Sequence, residues 1–160
     1  MQPHILVLAF GNPGRQDDGL GPRCAELLRQ RLVRQGSALP VTIETNYQLT
    51  VEDALLVKEA DIVIFVDAIK SPQNSFLLTP IEPRQEPVWN THLLSPQNLL
   101  YLTDTLFNHA PEAFILAIKG YEFDQFQELL SRKAEKNMRN ACQFILEKIE
   151  QWSEQGKFSR

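Results

Sequence analysis

Apolar and polar residues alternate along this chain in short runs of two kinds. Residues 4–10 (HILVLAF), 61–66 (DIVIFV) and 113–118 (AFILAI) are nearly continuous apolar stretches, the pattern of strands buried on both faces. Residues 41–45 and 76–81 are weaker strand candidates. Between them the period changes to that of a helix. Leu20, Cys24, Leu27, Leu28 and Leu32 form one apolar face, with Pro22 tolerated in the opening turn and Gly36-Ser37 closing the helix. Thr50 and Asp53 have the spacing of a capping pair for a helix running to about residue 59. Ser95-Pro96 reads as an N-cap followed by proline at the first helical position, opening a helix to Phe107. From Ser131 the longest helix carries Ala134, Met138, Ala141, Cys142, Ile145, Ile149 and Trp152 on one face, and a frayed tail is expected after Gly156.

Strand and helix therefore alternate, which predicts an α/β protein with a largely parallel sheet and helices on both faces. Right-handed crossovers limit the possible arrangements. If the first strand lies between the second and third, the loops after the first and third strands flank a topological switch point, where open α/β sheets bind ligands.

A length of 160 residues fits one domain, placed at residues 1–155, and no internal repeat is visible. The apolar run at the start is broken by Gly11 and Pro13 with no basic segment ahead of it, too soon for a signal peptide or a membrane span. The expectation is a soluble, cytoplasmic protein. A net charge of −4 argues against nucleic-acid binding, and Arg132, Lys133, Lys136 and Arg139 read as a solvated helix face. Cys24 and Cys142, on apolar helix faces and far apart in the chain, read as small buried hydrophobes.

Three residues carry candidate chemistry. Asp18 lies in the loop after the first strand, and Asp67 ends a strand that is otherwise apolar. Neighbouring first and third strands would bring these carboxylates together, where they repel unless a proton or a cation intervenes. The competing readings are a helix cap for Asp18 and a turn for Asp67. His92, ahead of the helix cap at Ser95, completes a mixed oxygen and nitrogen set suited to zinc, nickel or a similar ion. His4 and His109 have no such setting and read as structural. The loop from Gly11 to Gly19 has glycines at both ends, but it is neither GxGxxG nor a P-loop and carries two acidic residues, so its support for a nucleotide site is weak and no organic cofactor is expected.

The stretch ILVLAFGNPGRQDDGLGPRCAELL resembles the N-terminal signature of nickel–iron hydrogenase maturation endopeptidases, and the resemblance continues at DIVIFVDAI and THLLSP. It implies a three-layer α/β/α sandwich on a five-stranded sheet, mostly parallel, with residues 76–81 as the antiparallel strand. Asp18, Asp67 and His92 are then the metal-contacting and catalytic residues, and the metal is the nickel of the substrate. The implied reaction removes a short C-terminal peptide from the hydrogenase large-subunit precursor, the expected partner, with the enzyme itself taken as a monomer. Gln127 and Leu129 depart from the resemblance, since glycines are common in that region of the family.

The expected hydrolysis uses a water positioned by a carboxylate or polarised by the metal. No GxSxG or HExxH motif is present, and neither cysteine stands beside a histidine in sequence. Asn12 and Gln48 are lesser candidates for contacting substrate backbone. Two other readings compete. A phosphoacceptor receiver domain would use Asp17, Asp18, Asp67 and Lys119, although GNPGRQ separates its acidic pair from the strand. An accessory protein that binds nickel or the hydrogenase without cleaving it is the other.

Overall fold

The structure is a computed structural model in which residues 1–70, 73–86 and 94–156 are described. In chain order the elements are β1 (Ile5–Phe10), α1 (Leu20–Arg34), β2 (Val41–Asn46), α2 (Ala54–Val57), β3 (Ile62–Ile69), β4 (Phe76–Ile81), α3 (Pro96–Phe107), β5 (Glu112–Lys119) and α4 (Arg132–Gln155). Single turns of 3-10 helix at Gln16–Gly19 and Val51–Asp53 lead into α1 and α2.

The sheet has the order β2-β1-β3-β5-β4. All pairs are parallel except β4 with β5, so the weak strand at residues 76–81 is the antiparallel member. β4 carries Pro80, which an edge strand tolerates because one side of its backbone needs no partner.

Strand alternation sorts the core into two layers. Ile5, Val7 and Ala9 of β1 and Ile62, Ile64 and Val66 of β3 pack with α1 and α4. Leu6 and Leu8 of β1 with Val63 and Phe65 of β3 pack under Ala54 and Val57 of α2 and Leu99 and Leu100 of α3. The result is the expected α/β/α sandwich. All seven apolar-face positions of α4 named from the sequence are buried.

Two boundaries differ from the sequence expectation. Thr50 and Asp53 do form a reciprocal capping box, but the helix it opens stops at Val57 instead of reaching residue 59. The chain must turn there so that Asp61 can donate its N–H to the His4 carbonyl and enter β3 beside β1. β3 also continues past Val66 to Ile69, because β5 keeps pairing with it through Ile69↔Lys119 after β1 has stopped.

Candidate active site

That unequal strand length places Asp67. β1 pairs with β3 as far as Ala9↔Val66, while Asp67 pairs only with Ala117 of β5. The residue therefore lies within a strand but at the step where β1 ends, on the face shared with Val63 and Phe65. Its Oδ1 accepts the N–H of Ala68 at 2.8 Å. Burial pushes its carboxyl up from 3.8 to about 7, the Ala68 hydrogen bond opposes this, and the negative charge of Asp18 adds to it. Asp18 is thus close enough for its charge to act on Asp67.

Asp18 is set by the loop that Gly11 opens. Gly11 has φ +139°, and a Cβ there would lie 2.1 Å from the Asp18 carbonyl oxygen, so the loop closes this tightly only with glycine. The Asn12 N–H donates to Asp18 Oδ2 at 2.9 Å, while Asn12 Oδ1 accepts from Gly14 and so serves its own turn. Neither the 3-10 turn nor α1 takes a side-chain cap, so the capping role for Asp18 falls away. Gly21, in the first turn of α1, sits where a Cβ would be 2.6 Å from both the Phe10 and Val66 carbonyl oxygens. The helix start is therefore seated directly on the ends of β1 and β3.

The adjacent Asp17 does something different, and the sequence reading missed it. It is fully buried and accepts hydrogen bonds from the N–H groups of Tyr121, Glu122 and Ser131 and from the Ser131 hydroxyl, all at 2.7–2.9 Å. Burial raises its pKa, but these four donors outweigh it, so the carboxyl lies below its ordinary value. Doubled acids on one tight turn point opposite ways, and only that doubling hinted at the role. Because Asp17 is consumed inside the protein, the acidic trio of the receiver reading is not assembled. Lys119, its supposed cationic member, lies over the Tyr121 ring at 5.4 Å.

His92 lies outside the described residues. Among the described residues no three His, Cys, Asp or Glu side chains form a metal-sized cluster. His4 bridges the Glu59 carbonyl and the Thr42 hydroxyl, and His109 reaches the Ala60 carbonyl, so both are structural. Cys24 and Cys142 are buried neighbours between α1 and α4; the adjoining Cys142 thiol and burial push the Cys24 thiol up. Gln48 is exposed. Beside the Asp18 loop, an open cleft of about 390 Å³ runs between the ends of β1 and β2, lined by Gly11, Pro13, Pro22, Thr45, Asn46 and Tyr47. Its Asn46 wall is braced by a 3.0 Å hydrogen bond to Asp53.

No family model matches the sequence, and neither does any curated protein. Solved structures do match. The hydrogenase maturating endopeptidase HybD from E. coli superposes with a TM-score of 0.70 at 20% identity, over 92% of this chain and 93% of that one. The chain has the fold of a hydrogenase maturation endopeptidase. The NiFe hydrogenase maturation protease HycI from Thermococcus kodakarensis gives 0.66 at 19% identity, over 93% and 94% of the two chains. A hydrogenase 2 maturation peptidase from a Thaumarchaeota archaeon gives 0.62 at 21% identity, over 91% and 97%. Each of these superpositions covers more than nine-tenths of both chains.

Proposed function

We propose that this chain is an endopeptidase that removes a short C-terminal peptide from the nickel-loaded precursor of a nickel–iron hydrogenase large subunit. The observation that carries the reading is the place of Asp67, at the step where β1 ends and within reach of the Asp18 charge, on a maturation-protease fold. Such a pair is unfavourable as it stands, since burial and the charge of Asp18 hold Asp67 protonated up to about pH 7. A cation carried in by the substrate removes that penalty, and two carboxylates with an imidazole suit nickel. Asp18, Asp67 and His92 are thus the proposed docking residues for the substrate's metal. The scissile bond is held beside them, where a carboxylate orients the attacking water and takes its proton. The cleft at Gly11, Pro13 and Tyr47 adjoins the Asp18 loop and is the proposed course of the peptide.

Among the described residues no helix is long and apolar enough to cross a membrane. The reading makes the protein a cytoplasmic monomer whose only partner is the precursor. Intact-mass spectrometry of purified precursor tests it. Loss of a C-terminal peptide with wild-type protein and nickel-loaded precursor, but not with Asp18→Asn or with nickel-free precursor, is the expected result. Binding of the precursor without mass loss would replace the peptidase by an accessory role.

A further inference from the structure

The two edges of the sheet differ. β4 is blunted by Pro80, whereas β2 (Val41–Asn46) carries no proline. Pairing with β1 fixes which way each backbone group of β2 points. The Ile5 N–H donates to the Pro40 carbonyl at 2.9 Å and the Gly11 N–H to the Asn46 carbonyl at 3.1 Å. Even-numbered residues of β2 therefore turn their N–H and C=O groups to β1, and odd-numbered residues turn theirs outward. The start of this outer edge is closed. There the Val41 N–H donates to the Leu39 carbonyl, and the Arg29 guanidinium donates to the Ile43 carbonyl at 3.1 Å. Among the described residues the Ile43 N–H and the Thr45 N–H and C=O make no hydrogen bond.

Unpaired backbone groups on alternate residues match one kind of ligand, another extended chain. The edge also leads to the candidate site. Its end, at Thr45, Asn46 and Tyr47, walls the cleft of about 390 Å³. The Gly11 N–H that bonds Asn46 opens the loop in which the Asn12 N–H holds Asp18. A second groove, of about 210 Å³, follows the same strand beside α1, between Leu32 and Val33 on one wall and Val41 and Ile43 on the other. An added strand would have a backbone partner in β2 and room on the α1 side for every second side chain. We propose that the C-terminal tail of the precursor binds as a sixth strand on the outer edge of β2, held through Ile43 and Thr45 and led by the cleft to Asp18. The inference rests on the peptidase reading, which supplies a peptide chain as the ligand. Main-chain pairing sets the course of the tail, and the two grooves choose among side chains.

Two measurements test it. Thr45→Pro removes an outward N–H but no bond to β1, a position at which an edge strand accepts proline. Thr45→Val keeps that N–H and changes only the side chain. In steady-state processing of nickel-loaded precursor, KM of the proline variant should exceed that of the valine variant at least about tenfold, with kcat nearly equal. Equal KM values in the two folded variants, or a difference in kcat alone, overturn strand addition. The second measurement needs no proline. It follows single-residue hydrogen exchange of Asp18→Asn protein, alone and with excess nickel-loaded precursor. Exchange at Ile43 and Thr45 should slow at least about tenfold in the complex. Thr42 and Glu44, already bonded to β1, should be protected from the start. Unaltered exchange at Ile43 and Thr45 in a complex that does form overturns the added strand while leaving the peptidase intact. Protection of both amides in the protein alone, rising with its concentration, would give the edge to a second copy of this chain and overturn the proposal too. Absence of processing by the wild-type protein overturns the peptidase, and the edge loses its occupant with it.

Discussion

Replacing Asp67 with asparagine should make the metal-free protein more stable at pH 8. In the folded chain burial and the Asp18 charge raise the Asp67 carboxyl from 3.8 to about 7. Between about pH 4 and pH 7 the native state therefore binds one more proton than the unfolded chain, and stability falls as pH rises through that window. Above pH 7 both states are ionised and the full penalty stands. A displacement of this size corresponds to at most about 4 kcal/mol, and relaxation around the site reduces it to about 2–4 kcal/mol. Asparagine carries no charge and its Oδ1 can keep the hydrogen bond from Ala68. At pH 8 the variant should gain that amount, or about 5–15 °C in Tm for a chain of this length. Urea melts of both proteins with chelator at pH 4, 6 and 8 would measure it. The gain should shrink towards zero at pH 4, and Asp18→Asn should capture part of it by removing the neighbouring charge. A loss of stability at pH 8, or a gain independent of pH, would refute the argument that this pair is strained when metal is absent.

Asp17→Ala should cost about 3 kcal/mol, because four donors lose a buried acceptor, and hydrogen exchange should show residues 121–131 losing protection. Because the Asp17 pKa is depressed, the stability it contributes is present above the ordinary carboxylate range and is lost as pH falls through its lower folded value. Gly21→Ala should destabilise by about 2–4 kcal/mol and reduce processing together, since the added Cβ meets backbone oxygens of both β1 and β3; thermal melts and processing assays would report both. Native protein should leave Cys24 and Cys142 unmodified by a thiol reagent, with both reacting once it is unfolded, because each is almost wholly buried.

Most elements were legible in the chain because their causes are local. The apolar runs in β1, β3 and β5, the helical stripe of α4 and the Ser95-Pro96 cap depend on neighbours within a few residues, and all of these elements form, with β3 running on past its read end. The placing of the first strand between the second and third was a condition of the reading, and the sheet meets it. The candidate pair Asp18 and Asp67 was legible for a similar reason: charged residues at the end of, or just beyond, wholly apolar strands are not explained by packing.

Tertiary structure alone decided the rest. Adjacent aspartates are equivalent in sequence, but donors supplied more than a hundred positions later by Tyr121, Glu122 and Ser131 draw Asp17 inward, while Asp18 accepts the Asn12 N–H and stays partly exposed. Asp67 was read as the residue that ends its strand, yet β5 carries that strand on to Ile69, and only the early end of β1 opens a site beside it. Cys24 meets Cys142 because α1 and α4 share one face of the sheet. The segment 120–131 shows no periodicity of its own, so its order and its outward Phe126 and Leu129 could not be read from the chain. Local patterns specify which residues are buried and in what period; which distant groups satisfy a buried charge is settled only when the strands and helices have packed.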